Sequence, residues 1–203
     1  MPPTRILTVC TGNVCRSPMA AVELDHGLND VSPGGFEVSS AGMHALVDEG
    51  FEERVGALAQ GRGLDSGLHR ARQITPEVLR ETDLVLAMAR EHAQAVLRQS
   101  PRLLKKVFTL REFARVLQHV GADPELDRAV PADCAERWAW IVRQAPRLRQ
   151  RVPVPHPERD DVIDPYRQED SVLERMSGEL FEATDAIVAW ERRYADRGAQ
   201  RLP

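Results

Sequence analysis

The sequence predicts an α/β fold, a doubly wound three-layer sandwich with a central four-stranded parallel sheet. Short apolar runs alternate with segments whose apolar residues recur at steps of three and four. The first apolar run leads through a polar loop directly into a helical pattern, which is the order of a βα unit. With 203 residues, 42% of them hydrophobic, the chain is long enough to bury one sizeable core.

Four apolar runs are the predicted strands, and they cover residues 5–10, 36–40, 84–88 and 107–110. The predicted helices begin near Pro18 and then cover about 52–60, 76–81, 91–99, 111–119, 135–145 and 171–194. The last helix carries its apolar residues on one stripe, which indicates packing against the sheet. Because ligands of doubly wound sheets bind at the carboxyl ends of the strands, we expect the functional residues there.

The region of about 114–160 interrupts this alternation with a turn-rich stretch and an arginine-rich helix. We expect that helix to end at Pro146. We expect the arginines of this helix and of the segment after it to lie on a solvated face, which could bind an acidic surface of a partner. They are Arg137, Arg143, Arg147, Arg149 and Arg151. We therefore predict a single domain over residues 1–203 that carries a helical insertion at about 114–160.

Composition excludes several classes of function. The formal net charge is −4 and no basic segment carries interleaved aromatic residues, so no nucleic-acid partner is expected. No apolar run approaches the roughly 18 residues of a membrane span, and no signal peptide is recognisable. Three cysteines without disulfide spacing indicate free thiols in a reducing compartment, so we expect a cytoplasmic protein. No metal or cofactor is expected, and His26, His92 and His119 are assigned to helix faces.

The loop after the first strand has the features of a phosphate-binding loop. Its residues are Thr11, Gly12, Asn13, Val14, Cys15 and Arg16. A loop that turns its main-chain N–H groups inward needs unusual backbone angles, which Gly12 and Asn13 tolerate. Ser17 and Pro18 fit the N-cap and first position of a helix, and a helix N-terminus attracts anions. We therefore expect an anion to bind inside this loop.

Two residues of this segment can act on a bound phosphate ester. Cys10 is a candidate nucleophile, because a nearby helix N-terminus and guanidinium favour the reactive thiolate. Arg16 has a planar guanidinium that can bind two oxygens of one phosphate. Expulsion of the leaving group further requires a proton donor. Asp123 and Asp164, each followed by proline, compete for that role, and sequence physics alone does not separate them.

The segment CTGNVCRSP, residues 10–18, resembles the signature loop of the low-molecular-weight protein tyrosine phosphatases. The similarity extends to residues 40–42, 69–73, 83–88 and 164–166, and the region of about 114–160 stands outside it as a family-atypical insertion before the acid loop. The resemblance implies that Cys10 is the nucleophile, that Arg16 binds phosphate and that Asp164 is the general acid.

The resemblance also implies roles for the neighbouring residues. Ser17 would hydrogen-bond the thiolate, while Ser40 and His69 would hold Asn13 in a left-handed conformation. Tyr166 and Val14 would form walls of the substrate pocket. Cys15 would form a reversible disulfide that shields the nucleophile, although a small packed side chain is an equal interpretation of this cysteine.

The function implied is hydrolysis of phosphotyrosine in a phosphoprotein through a phosphocysteine intermediate, with phosphate and other oxyanions as competitive ligands. A protein-arginine phosphatase of the same fold is the first alternative, because residues 40–42, 83–88 and 106–113 resemble that branch as much as the tyrosine branch. The resemblance implies that the branches differ partly at Val14, where arginine phosphatases carry threonine and tyrosine phosphatases a branched aliphatic residue, so Val14 and Tyr166 favour phosphotyrosine. An arsenate reductase, with Cys134 as the remaining thiol, and a noncatalytic phosphate-binding module are alternatives of other classes. The physiological substrate, the oligomeric state and the role of the insertion stay open.

Overall fold

The structure, a computed structural model, describes residues 2–154 and 156–199. Four parallel strands form one sheet in the order β2-β1-β3-β4. Their bounds are Thr4–Cys10 for β1, Phe36–Gly42 for β2, Leu84–Ala87 for β3 and Val107–Thr109 for β4. The predicted α/β fold with a four-stranded parallel sheet is confirmed. The predicted domain of residues 1–203 also includes Met1, Pro155 and residues 200–203, which lie outside the described residues.

Eight α-helices of the described residues surround the sheet. They are α1 Arg16–Val31, α2 Glu53–Gly61, α3 Pro76–Arg80, α4 Arg90–Gln99, α5 Leu110–Ala122, α6 Pro124–Ala129, α7 Cys134–Leu148 and α8 Asp170–Ala199. Across residues 2–154 and 156–199, none of the helices is both long and apolar enough to cross a membrane.

The core has two layers, because successive side chains of a strand point to opposite faces of the sheet. Ile6 of β1 and Leu86 of β3 pack on one face with apolar residues of α1, α2, α5, α7 and α8. Leu7 and Val85 pack on the other face with residues of α3 and α4. All four of these side chains are buried, so both faces of the sheet are covered as a parallel sheet requires.

The carboxyl ends of the strands meet at one edge of the sheet. Cys10, the last residue of β1, pairs with Gly42, the last residue of β2. A β-carbon on Gly42 would stand 2.6 Å from the carbonyl oxygen of Thr11, so the absence of a side chain lets β2 end against the loop. This edge is the place where the sequence predicts the functional residues.

Two predicted helix boundaries are wrong. Helix α1 begins at Arg16 with Cys15 as its N-cap, so Ser17 is not the cap. The Ser17 hydroxyl instead bonds other side chains of the loop, and Pro18 stands in the first turn, where a missing N–H costs nothing. Helix α7 continues past Pro146 to Leu148, because a proline in the last turn removes only one hydrogen bond near the end of the helix.

A buried ion pair attaches α7 to α8. Glu191 accepts hydrogen bonds from Nε and Nη2 of Arg137 at 2.9 and 2.5 Å, from Nε1 of Trp138 at 2.8 Å and from Oγ of Ser32 at 2.6 Å. Both charged side chains are almost completely buried. Arg137 therefore does not lie on a solvated face, which corrects the prediction for this arginine. The insertion of about 114–160 stays a prediction as a feature atypical of the family.

Candidate active site

The loop between β1 and α1 turns its carbonyl oxygens outward. They accept main-chain hydrogen bonds from the segment that wraps around the loop: His44 to Thr11 at 2.9 Å, Leu46 to Gly12 at 3.0 Å and Glu52 to Val14 at 2.9 Å. Among the described residues, the N–H groups of Gly12, Val14 and Cys15 donate to no protein acceptor. Successive inward N–H groups at a helix N-terminus form a concave site for an anion.

Asn13 holds the loop in shape. Its φ is 59°, and its side-chain amide donates to Oγ of Ser17 at 3.0 Å and to Oγ of Ser40 at 2.8 Å. Its Oδ1 accepts from the main-chain N–H of Arg72 at 2.9 Å. Its carbonyl oxygen lies 2.7 Å from Nε2 of His69. The structure thus brings together Asn13, Ser17, Ser40 and His69, and the bonds offset the cost of the left-handed conformation.

Gly12 differs from the prediction, because its φ lies outside the positive region that Asn13 occupies. A β-carbon on Gly12 would stand 3.7 Å from Cγ2 of Val14 and 3.8 Å from Cγ of Leu46, which are ordinary van der Waals distances. Of these two residues, Asn13 is the one with a positive φ. The identity of residue 12 is therefore not dictated by backbone conformation.

His69 is a neutral donor to the loop. Burial lowers the pKa of the imidazole, and the nearby Arg70 and Arg72 act in the same direction against the hydrogen bond to Asn13. A carbonyl oxygen can only accept, so the Nε2 atom of His69 carries the hydrogen. The ring of Phe51 packs edge-on against the imidazole, with 5.0 Å between ring centroids.

Cys10 and Cys15 have different surroundings, although both are buried. The Sγ atom of Cys10 lies 2.9 Å from Oγ of Ser17 and accepts from the main-chain N–H of Asn13 at 3.3 Å. Donors of this kind stabilise a thiolate. By contrast, burial and then the carboxylate of Glu52 raise the pKa of Cys15 to about 12, so this residue is a neutral thiol near pH 7.

Arg16 lies under the loop with 4% of its surface exposed. Its Nη1 donates to the carbonyl oxygen of Val162 at 3.1 Å, and its Nη2 donates to Oδ2 of Asp164 at 2.5 Å. Its Nε is buried and has no partner within residues 2–154 and 156–199. The guanidinium is therefore fixed in orientation and retains a donor for an oxyanion in the loop.

The two aspartates that compete for the role of proton donor lie in different places. Asp164 joins the Arg16 guanidinium, and its side chain is 48% exposed, so it can reach a bound ester. Its Oδ1 accepts from the N–H of Tyr166 at 3.1 Å. Asp123 caps α6, and hydrogen bonds from the N–H groups of Leu126 and Glu125 lower the pKa of its carboxyl. Geometry thus favours Asp164.

Charged side chains anchor the acid loop, residues 160–166, and the sequence did not predict them. The guanidinium of Arg90 spans both carboxylate oxygens of Asp161, and its main-chain N–H donates to the same carboxylate at 2.8 Å. Asp160 pairs with Arg115 at 2.6 Å. Glu179 accepts from the main-chain N–H of residue 163 at 2.9 Å. Arg90 and Arg115 lie 45 or more residues before the loop, and Glu179 lies on α8. Spacing along the sequence therefore does not reveal the two arginines.

The rim of the site is formed by apolar and aromatic side chains. Val14 is buried, Leu46 beside it is 40% exposed, and Tyr166 is half-buried next to Asp164. Arg167, with a φ of 58°, places its guanidinium 5.1 Å from the centre of the Tyr166 ring. The predicted pocket walls, Val14 and Tyr166, therefore belong to the loop and to the acid loop respectively.

His92 lies on a helix, as predicted, but its side chain is buried against the loop. It lies near the start of α4 with 3% of its surface exposed, and its Nε2 is 2.9 Å from Oγ1 of Thr11. The sequence signal for this contact is its position: α4 follows β3, which is the neighbour of β1 in the sheet. A polar residue early in a helix at the carboxyl edge faces the site.

Cys134 lies at the opposite end of the sheet from Cys10. A β-carbon on Gly35 would stand 3.1 Å from the Sγ of Cys134, and the carbonyl of Gly35 accepts from the N–H of Thr4 at the start of β1. Strand β1 has seven residues, so the two ends are about 20 Å apart at roughly 3.3 Å per residue. A thiol at that distance cannot relay electrons to Cys10 in this fold.

Comparison with known proteins agrees with this geometry. The family model described as "Low molecular weight phosphotyrosine protein phosphatase" matches residues 5–129. The chain belongs to this family. The predicted identification as a cysteine-dependent phosphatase of the low-molecular-weight type is thereby confirmed. The match ends before Asp164 and therefore does not cover the residue that the sequence predicts as the proton donor.

Two curated relatives come from different branches of the family. A "Protein-arginine-phosphatase" of Geobacillus stearothermophilus is 40% identical over 124 residues, which are 60% of this chain and 79% of the relative. The low molecular weight protein-tyrosine-phosphatase Wzb of Salmonella typhi is 39% identical over 103 residues, 51% of this chain and 66% of that protein. Sequence identity therefore does not separate the two branches.

Solved structures show the same fold. The YwlE arginine phosphatase from Geobacillus stearothermophilus aligns with a TM-score of 0.65 and 24% identity over 99% of both chains. A low molecular weight protein tyrosine phosphatase from T. tengcongensis aligns with a TM-score of 0.63 and 27% identity over 92% of this chain and 98% of the other. The tyrosine phosphatase Wzb from Escherichia coli K30, described in complex with sulphate, aligns with a TM-score of 0.62 and 23% identity over 91% of this chain and 96% of the other.

Proposed function

We propose that the chain hydrolyses phosphotyrosine in proteins through a phosphocysteine intermediate. The observation that carries this proposal is the convergence of Cys10, Arg16 and Asp164 on one loop of inward N–H groups. A nucleophile, an anion ligand and a proton donor are the three groups that phosphate monoester hydrolysis needs in the absence of a metal. Phosphate and other oxyanions are then competitive ligands of the same loop.

In the first step the Cys10 thiolate attacks phosphorus, so the S–P bond forms as the ester P–O bond breaks. The protonated carboxyl of Asp164 gives its proton to the leaving oxygen, which departs as a neutral phenol. In the second step water attacks phosphorus, the Asp164 carboxylate takes a proton from that water, and the S–P bond breaks. Inorganic phosphate leaves and the thiolate is restored.

The loop and Arg16 stabilise both transition states. The equatorial phosphoryl oxygens gain negative charge during attack, and the main-chain N–H groups and the guanidinium stand ready to bind that charge. Since these donors are fixed by the outward carbonyls and by Val162, little reorganisation is needed when charge develops. Removal of one such donor typically costs about 10²–10³ in kcat.

Two residues favour phosphotyrosine over phosphoarginine. Val14 is aliphatic and 5% exposed, so its side chain adds no polar group to the loop, and the ring of Tyr166 follows the proposed proton donor as a candidate wall for an aromatic ester. Phosphoarginine is the second candidate substrate, because the arginine phosphatase of Geobacillus stearothermophilus is as similar in sequence as the tyrosine phosphatases. The Val14→Thr variant tests the choice between the two substrates, since threonine replaces one methyl group of valine with a hydroxyl of similar size.

The decisive assay compares a phosphotyrosine peptide with a phosphoarginine peptide of the same sequence, for wild type and for Val14→Thr. We expect wild type to prefer phosphotyrosine and the variant to lose at least about tenfold of that preference. Cys10→Ser serves as the control that abolishes both activities. A wild type that prefers phosphoarginine would reassign the substrate, while retained turnover in Cys10→Ser would remove the mechanism.

Two readings of other classes have less support. Arsenate reduction passes electrons through a relay of further cysteines, and the one cysteine that remains beside Cys10 and Cys15 is Cys134, which lies at the far end of β1. A noncatalytic phosphate-binding module would have no use for a proton donor at the loop. Arsenate turnover that requires both a thiol reductant and Cys134 would revive the first reading. We assign the activity to the cytoplasm, because the nucleophile must remain a free thiol, and expect neither membrane nor nucleic-acid partners.

A further inference from the structure

A buried histidine contacts the phosphate-binding loop from outside it. His92 is 3% exposed, and its Nε2 lies 2.9 Å from Oγ1 of Thr11, the residue after the nucleophile. Its other ring nitrogen, Nδ1, is buried and has no hydrogen-bond partner in the part of the chain that the structure describes. The mechanism derived above uses neither His92 nor the hydroxyl of Thr11.

The unpartnered Nδ1 decides which nitrogen of His92 carries the hydrogen. A buried N–H without an acceptor is among the rarest groups in proteins, whereas a buried acceptor without a donor is tolerated more often. The neutral ring is therefore protonated at Nε2, and Nε2–H donates to the hydroxyl oxygen of Thr11. The Thr11 hydroxyl is then an acceptor toward His92 and keeps its own hydrogen for another partner.

Burial and the guanidinium of Arg16 keep His92 neutral. Burial, and after it the guanidinium of Arg16, lowers the pKa of the imidazole to about 4. Asp164 and Asp161 on the acid loop act in the opposite direction, and Glu91 on the same helix lies 3.6 Å from Nε2. Near neutral pH the ring is therefore a neutral donor with one fixed orientation.

We propose that His92 is a positioning residue, which directs the Thr11 hydroxyl hydrogen toward a bound phosphoryl oxygen and so makes Thr11 a side-chain donor of the phosphate site. The inference rests on the proposed function, because the phosphoryl group supplies the acceptor. A side chain that only filled this space would be apolar, since a buried nitrogen without a partner costs about 1–3 kcal/mol.

A double-mutant cycle tests the coupling between His92 and Thr11. Thr11→Val removes the hydroxyl and keeps the shape, and His92→Leu removes the donor. We expect each variant to lower kcat/KM for an aryl phosphate about tenfold, the loss of one hydrogen bond to a charged group. In the double variant the second change should add less than about twofold, because both act through one hydroxyl. Losses that multiply in the double variant would overturn the proposal.

His92→Gln separates positioning from packing, because its side-chain amide can donate from a similar place. We expect this variant to keep activity within about threefold of wild type, with His26→Gln on the exposed face of α1 as the matched control. Activity in His92→Gln as low as in His92→Leu would contradict the proposal.

The double-mutant cycle of His92 and Thr11 is also measured with the affinity for inorganic phosphate, determined by calorimetry. If wild type hydrolyses no ester, the proposed function fails, while the phosphate cycle still decides the role of His92.

Discussion

Oδ2 of Asp164 lies 2.5 Å from Nη2 of Arg16. The proposed proton donor and the proposed phosphate ligand are therefore hydrogen-bond partners of each other. A phosphate that binds two donors of this guanidinium, Nε and Nη2, competes with the Asp164 carboxylate for Nη2. A phosphate and a carboxylate beside the same guanidinium also repel each other, so we expect substrate binding to favour release of Asp164 toward the leaving group.

The Asp164→Ala variant should therefore separate turnover from binding. We expect kcat to fall about 10²–10⁴-fold for esters with poor leaving groups, which need protonation, and less for activated aryl esters. The affinity for inorganic phosphate should rise, because a competing negative charge is removed from Arg16. Steady-state kinetics with a series of leaving groups and calorimetry with phosphate measure the two effects. Asp123→Ala, which only removes the cap of α6, should change neither; a loss of turnover there would reassign the proton donor.

Asn13 carries two separable contributions to the loop, its φ of 59° and its side-chain hydrogen bonds. Asn13→Gly keeps the conformation and loses the bonds, while Asn13→Ala loses both. We expect both variants to lower kcat/KM at least about tenfold, because the thiolate partner Ser17 loses its support. Asn13→Ala should also be less stable than Asn13→Gly by about 1 kcal/mol in urea unfolding. Equal stability of the two variants would contradict a strained residue 13.

The lowered pKa of His92 predicts that the protein becomes less stable as the pH falls. The pKa of His92 is lowered from 6.5 to about 4 in the folded chain, so the unfolded chain binds the proton first as the pH falls. The free energy of unfolding should therefore decrease by about 2 kcal/mol between about pH 7.5 and pH 5 on account of this group. The lowered pKa of His69 acts in the same direction.

Urea unfolding of wild type and His92→Gln at these two pH values measures that contribution. All other titrating groups are common to both proteins, so the difference between their pH dependences isolates His92. We expect the variant to lose about 2 kcal/mol less than wild type on acidification. Identical pH dependence in the two proteins would mean that His92 is not held neutral by its surroundings.

Breaking the buried ion pair of Arg137 and Glu191 should lower the stability of the fold without weakening phosphate binding at the site. Arg137→Met leaves the Glu191 carboxylate buried without its charged partner, which should cost about 3–5 kcal/mol in urea unfolding. The exposed Arg143 on the same helix gives the control, and Arg143→Met should stay within about 0.5 kcal/mol of wild type. Below the unfolding transition, phosphate affinity should be unchanged in both variants. A weaker affinity in Arg137→Met would connect α7 to the site.

The sheet and the phosphate-binding loop could be predicted because their signals are local. Alternating apolar runs define the strands, and Asn13 with Arg16 and Ser17 follows β1 within one short segment. Only the predicted N-cap role of Ser17 was wrong, because Cys15 is the N-cap of α1; the hydroxyl of Ser17 lies against Cys10, as the family resemblance implies, and also bonds Asn13. The sequence shows that residue 17 carries a hydroxyl, but which groups that hydroxyl bonds depends on the conformation of the loop.

Contacts between distant segments could not be predicted from spacing. His92 reaches Thr11 across 81 positions, and Asp161 reaches Arg90 across 71. Nothing in the sequence around His92 distinguishes it from an exposed helical histidine, because burial depends on the strand order β2-β1-β3-β4. The choice between Asp123 and Asp164 likewise needed the structure, in which one aspartate caps a helix and the other meets Arg16.

The covalent intermediate on Cys10 is tested most directly by trapping it. Asp164→Ala should slow hydrolysis of the phosphocysteine, because no carboxylate activates the attacking water. An activated aryl phosphate is mixed with this variant, the reaction is quenched with acid within the first turnover, and the digest is analysed by mass spectrometry. We predict one phosphate on the peptide that contains Cys10 and none when Cys10 is serine or when the ester is omitted. Ester hydrolysis at the same rate with no phosphate on Cys10, or with serine in its place, would contradict the account.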